Sequence, residues 1–217
     1  MAAVVFFTGC KENGDLMTGG KLSNLNIVNA AVDNLNVYQN GARLNNLSVI
    51  GSGSQTGYTP ITAGSTNFEV KKAGASDYLI GNFPAKLDTN HYYTLFIAGE
   101  TADKLFISND ATPADSTSSA AVRFVNASPS STNVDVTIDK LRFTNIAFKT
   151  VTPFRYDTVS TTAGADSALV TVYPHGSTTK LGSGKVPKNV NSAYTIYLQG
   201  VPGGAGSSAL VLKASVN

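Results

Sequence analysis

Residues 93–99 read Tyr93-Thr94-Leu95-Phe96-Ile97-Ala98-Gly99, and 101 positions later the chain reads Tyr194-Thr195-Ile196-Tyr197-Leu198-Gln199-Gly200. In the first stretch Tyr93, Leu95 and Ile97 fall on one face, with Thr94 and Phe96 on the other. That alternation has the period of a strand, not of a helix. Its return so far along the chain makes duplication the first question to settle.

Four further matches occur in the same order. Ile27-Val28-Asn29-Ala30 returns as Phe124-Val125-Asn126-Ala127 after 97 positions, and Leu35-Asn36-Val37 as Val134-Asp135-Val136 after 99. Asn46-Leu47 returns as Asn145-Ile146 after 99 positions, and Ala63-Gly64 as Ala163-Gly164 after 100. So small a drift confines insertions to turns. A period near 100 residues is too long for a solenoid, so each copy is expected to close its own core. The copies span 22–110 and 120–217, and the Ser-, Thr-, Asp- and Pro-rich segment 111–119 reads as a linker.

Other segments alternate in the same way. Val134, Val136 and Ile138 oppose Asp135 and Thr137; Val122 and Phe124 oppose Arg123 and Val125; Ala168, Val170 and Val172 oppose Leu169, Thr171 and Tyr173. No stretch sustains an i, i+3, i+4, i+7 apolar pattern. Turn chemistry falls at Asn40-Gly41, Gly51-Ser52-Gly53, Ala73-Gly74, Gly182-Ser183-Gly184 and Pro202-Gly203-Gly204. Asn-Gly between apolar runs suits a tight hairpin, because both residues tolerate positive φ. The expectation is an all-β chain, with about seven strands per copy in two packed antiparallel sheets.

Composition narrows the field of functions. Only 14% of the 217 residues are charged and the net charge is +2, with no basic run interleaved with aromatics, so a nucleic-acid partner is not expected. Tryptophan is absent and Cys10 is the sole cysteine, so no internal disulfide can brace either core.

The run Val122-Arg123-Phe124-Val125-Asn126-Ala127-Ser128-Pro129, then Val134-Asp135-Val136, resembles the start of domain-of-unknown-function family 4397. Phe143-Thr144-Asn145-Ile146-Ala147-Phe148 and Tyr194-Thr195-Ile196-Tyr197-Leu198 carry the likeness onward. The first copy departs from it, with Ala31-Val32 at the Ser-Pro step and Asn36 at the place of Asp135. The resemblance implies tandem immunoglobulin- or transthyretin-like antiparallel β-sandwich domains in secreted or lipid-anchored bacterial proteins. It implies no activity and transfers no functional residue.

Residues 1–21 read as an address. An apolar stretch from Ala2 to Phe7 leads to Thr8-Gly9-Cys10, and the chain then turns polar at Lys11-Glu12-Asn13. This resembles the end of a lipoprotein signal, with small Gly9 at the cut and Cys10 receiving the lipid. Phe7 stands where Leu is usual. With nine residues ahead of Cys10, the signal is expected to begin upstream. Lys11-Glu12 resembles the charged tag of some Bacteroidetes surface lipoproteins. The implied location is the outer membrane, on its periplasmic or cell-surface face, with 11–21 as a flexible tether.

Candidates for chemistry are few. His91 and His175 occupy non-equivalent places in the two copies and have no i, i+4 metal partner, so no metal or other cofactor is expected. No Gly-x-Ser-x-Gly elbow occurs, which argues against a hydrolase. Gly182-Ser183-Gly184-Lys185 has Val186 where a phosphate loop needs Ser or Thr, and reads as a hairpin turn. Asp135 with Asp139, and Asn109-Asp110, are the only hints of calcium, and solvated turn carboxylates are the default. Tyr92, Phe96 and Tyr197 lie opposite the core face of their strands, where they either stack on a ligand or pack under a cover.

The sequence thus points to a non-catalytic, lipid-anchored binding, adhesion or spacer module. Its expected partners are the membrane, through Cys10, and a surface protein or polysaccharide. A carbohydrate-binding accessory role in polysaccharide uptake is the alternative. Duplication suggests avidity between two like domains.

Overall fold

The computed structural model describes residues 20–45, 48–110, 119–158 and 167–216. The first copy comprises β1 (Leu22–Asn29), β2 (Leu35–Gln39), β3 (Ala42–Arg43), β4 (Thr59–Thr62), β5 (Gly64–Lys72), β6 (Ile80–Leu87), β7 (Tyr92–Ile97) and β8 (Leu105–Asn109). The second repeats the series as β9 (Ser119–Asn126), β10 (Val134–Ile138), β11 (Leu141–Ile146), β12 (Arg155–Thr158), β13 (Ser167–Pro174), β14 (Gly182–Pro187), β15 (Ala193–Gln199) and β16 (Val211–Val216). Each copy therefore has eight described strands, one more than expected, with β3 and β11 closing hairpins on β2 and β10. The signal, Cys10, the tether up to residue 19 and 111–118 lie outside the described residues, as do Asn46-Leu47 and Ala163-Gly164 of the repeat.

Each copy is a sandwich of two four-stranded sheets, ordered β4-β1-β7-β8 and β3-β2-β5-β6 in the first, β12-β9-β15-β16 and β11-β10-β13-β14 in the second. Pairing is antiparallel except that β1 runs parallel to β7, and β9 to β15. That exception amends the antiparallel expectation. It pairs the first long strand of each copy with its seventh across most of the copy's length, a choice that alternation within a strand does not encode.

The alternating faces form two separate cores. Leu25, Ile27, Leu35, Val37, Phe68, Val70, Leu95 and Ile97 fill the first. Val122, Phe124, Val134, Val136, Ile138, Val170, Ile196 and Leu198 fill the second. The cores are the same design twice.

Polar details also repeat. Asn29 and Asn126 are both fully buried at the end of the first strand of their copy. Asn126 Nδ2 donates to the Ile146 carbonyl at 3.1 Å, and its Oδ1 accepts from the Ser128 N–H at 3.1 Å. Asn29 does the same with Ile50 at 2.8 Å and Ala31 at 3.0 Å. The repeated Asn-Ala is thus a plug that satisfies loop backbone inside the sandwich. Asn126→Ala is expected to lower unfolding free energy by about 1–3 kcal/mol, measured by urea titration, because it strands buried backbone groups.

Tyr93 and Tyr194 point their rings into the cores and accept, at Oη, the N–H of the residue five positions earlier: Asp88 at 3.0 Å and Asn189 at 3.1 Å. This is the corner bond expected of an immunoglobulin-like sandwich. The Asn40-Gly41 hairpin forms as read, with φ of 48° and 80°. Gly182-Ser183-Gly184 does not make a turn. It lies in edge strand β14, with Gly184 opposite Val170, where the absence of side chains fits an edge lying over Leu212.

Candidate functional site

A third apolar cluster joins the two copies. Val28, Phe96 and Phe106 of the first pack with Val125, Ala127 and Tyr197 of the second, and Phe148 and Val151 close the margin. The Phe96 ring stacks on Phe106 at 4.9 Å and meets Tyr197 edge-on at 5.8 Å. The sheet containing β1 and β7 therefore faces the sheet containing β9 and β15, and the molecule is a stack of four sheets.

This corrects the reading of two candidate contact residues. Phe96 is 0% and Tyr197 1% exposed, so neither can present a ring to a ligand. Their strands are apolar on both faces because each inner sheet has a core on one side and the other domain on the other. Burial pushes the Tyr197 hydroxyl pKa up to about 12. Tyr92 remains at the surface, 43% exposed, with its ring edge-on to Tyr58 at 5.2 Å.

A charged pair sits inside the same seam. Arg123 Nη2 and Asp110 Oδ1 are in direct contact, with side chains 4% and 1% exposed. Arg123 Nε donates to Thr195 Oγ1 at 2.8 Å, and the guanidinium lies over Phe154 at 4.7 Å. Asp110 also accepts from Thr94 at 2.5 Å, Ser108 at 2.6 Å and Tyr58 at 2.8 Å. Burial, reinforced by the Asp110 charge, holds the Tyr58 hydroxyl far above the usual tyrosine range. Asp110, weighed above as a calcium oxygen, is fully occupied by this network. The sequence signal for Arg123 is its place as the one charged residue of β9.

The second cluster lies on the outward face of the β11-β10-β13-β14 sheet. Cross-strand pairing sets Asp135 opposite Tyr173 and Thr137 opposite both Thr171 and Arg142. Asp135 accepts from the Asn145 N–H at 2.8 Å and the Gly176 N–H at 3.3 Å, and its Oδ1 lies 2.8 Å from His175 Nδ1. Arg142 Nη2 stands 3.6 Å from the other oxygen, Oδ2. Burial alone would raise the Asp135 carboxyl, but these hydrogen bonds outweigh it and hold its pKa at about 2. Beside the carboxylate is a hollow of about 290 Å³ lined by Thr137, Arg142, Tyr173, Ser177 and Thr178. His91 is exposed in the first copy, with its ring Nδ1 beside the Thr89 carbonyl at 3.0 Å and stacked on Tyr93, so the two histidines do not converge.

A third group ties the far end of the second domain. Lys188 Nζ bridges Asp139 at 2.5 Å and Asp157 at 2.8 Å. Asp139, the other calcium candidate, is thereby held apart from Asp135. Among the described residues no group of three or more His, Cys, Asp or Glu is placed to hold a metal ion.

A family model described as "Domain of unknown function (DUF4397)" matches residues 23–137 and 120–215. No match is found among curated proteins. Among solved structures, the chain is similar to CBMbc, a family CBM26 module of Eubacterium rectale Amy13K solved in complex with maltoheptaose. The identity is 10% over 90% of this chain and 96% of that one, with a TM-score of 0.25, too low to carry an argument about function.

Proposed function

From the DUF4397 family, to which the chain belongs across both halves, we propose a non-catalytic, extracytoplasmic binding and spacer module held to a membrane by a lipid on Cys10. The observation that supports this most is the sealed seam. An apolar cluster and a buried ion pair weld the domains into one stiff body, which suits a spacer better than two modules on a string.

The stack also changes what duplication does. The equivalent outer sheets, β3-β2-β5-β6 and β11-β10-β13-β14, lie at opposite ends of the four layers. Two like faces pointing apart do not engage one flat surface together, so bridging replaces avidity as the use of two copies. Free partners are a surface protein at one end and a polysaccharide or second protein at the other.

In the reading of residues 1–21 as an address, Cys10 carries the acyl chains and the protein sits on the periplasmic or cell-surface face of an outer membrane. Several chains on one cysteine hold a protein far more firmly than one chain would. Expressed from its own reading frame, the protein should partition with membranes, and mass spectrometry should find Cys10 acylated. Cys10→Ser should move it to the soluble fraction. An unmodified Cys10 in membrane-bound protein would sink the anchoring.

A further inference from the structure

We propose that the hollow beside Asp135 is a binding site for one ring of a neutral saccharide, which deepens the binding reading above by naming its ligand class. The first support is a comparison within the chain. The same cross-strand positions exist in the first copy, where Tyr38 pairs with Arg43 and with Glu69, and Asn36 pairs with Lys71. There the space is filled: Tyr38 and Tyr78 meet edge-on at 5.9 Å, and Lys71 Nζ lies 4.3 Å over the Tyr78 ring. In the second copy Thr137 replaces Tyr38, Thr171 replaces Glu69 and Tyr173 replaces Lys71. One copy fills the face with its own side chains, and the other leaves a recess with an aromatic wall.

The second support is the chemistry of the lining. Tyr173 offers an apolar ring face for the C–H side of a sugar. Thr137, Ser177 and Thr178 offer hydroxyls that both donate and accept, and Arg142, with a side chain 67% exposed, offers guanidinium donors. Asp135 is a positioning residue. Its oxygens are taken by Asn145, Gly176 and His175, and its charge balances that of Arg142, so the recess carries no excess charge that would favour an ionic ligand. At about 290 Å³ it lies at the small end of ligand sites, room for a single ring.

The test uses the full chain, titrated calorimetrically and by ligand-observed NMR with cellotriose, maltotriose, mannotriose, xylotriose and lactose. At least one is expected to bind, and Thr137→Tyr, which rebuilds the filled face of the first copy, is expected to weaken it about tenfold or more. Tyr173→Ala should do the same, and Tyr38→Ala should leave binding unchanged, with thermal unfolding confirming that each variant is folded. Silence from every sugar, or undiminished binding by Thr137→Tyr, would overturn the site while leaving the anchoring and the rigid stack untouched. Cleavage of a bound sugar would support the site and overturn the non-catalytic reading instead.

Discussion

Arg123→Ala is expected to destabilise the folded chain by about 3–5 kcal/mol, the range for removing one partner of a buried ion pair. The substitution leaves Asp110 with a side chain 1% exposed, surrounded by the hydroxyls of Thr94, Ser108 and Tyr58, with its cation gone. Hydroxyls soften that penalty and do not cancel it. It also removes the guanidinium from Phe154 and the Nε hydrogen bond to Thr195.

The loss should fall on the coupling between domains before it falls on either core, because the two cores share no residue with each other. Urea unfolding of the natural chain should follow one transition, and that of Arg123→Ala two. Small-angle scattering should broaden as the stack opens. Arg123→Met with Asp110→Leu should recover much of the stability, since apolar replacement of both partners removes the stranded charge. A loss under about 1 kcal/mol with an unchanged scattering profile would mean the apolar cluster alone holds the seam.

What alternation made legible was the inward face of each strand. Val122, Phe124, Val134, Val136, Val170 and Ile196 all reach a core as their spacing requires. The opposite face was legible only as a question. Phe96 and Tyr197 lie away from the two cores, but period-two spacing does not say whether solvent, ligand or another domain covers that side. The parallel β1–β7 pairing was hidden for a related reason, since turns advertise hairpins and long-range partners leave no local mark.

The Asp135 cluster shows the same limit. Local spacing offers Asp139 as its neighbour, four residues on, although Asp139 lies in the turn after β10. The true companion is His175, brought 40 residues along the sequence by the β10–β13 pairing. Arg123 differs: a charge between apolar neighbours in one strand implies a buried anion to meet it.

Lys188→Met should cost a comparable amount, about 3–5 kcal/mol at neutral pH, and the loss should have a distinctive pH signature. In the natural protein Lys188 is 5% exposed and bridges Asp139 and Asp157. Burial works against charge on both Lys188 and Asp139, but the bridging hydrogen bonds and opposite charges prevail: the Lys188 pKa is raised and the Asp139 pKa is lowered. The Asp139 contribution is therefore complete above 3.8, its ordinary value, and disappears as pH falls through the depressed folded value. The Lys188 contribution is complete below 10.5 and disappears as pH rises through its elevated folded value. Without the ammonium, two neighbouring carboxylates repel in a poorly solvated place, and what held the Asp139 pKa down is gone. Acid then relieves the variant while the natural bridge stays intact above 3.8, so the gap between their urea midpoints should narrow from pH 7 to pH 4. The first copy supplies the repair: Ile61, paired with Ser23 as Asp157 is with Ala120, is 4% exposed and seals this position with an apolar side chain. Lys188→Met combined with Asp157→Leu should therefore regain most of the loss, since Asp139 keeps some solvent and the Leu169 N–H at 2.8 Å. A gap that stays constant with pH would show that Lys188 acts through the packing of its methylene stem and not through its charge.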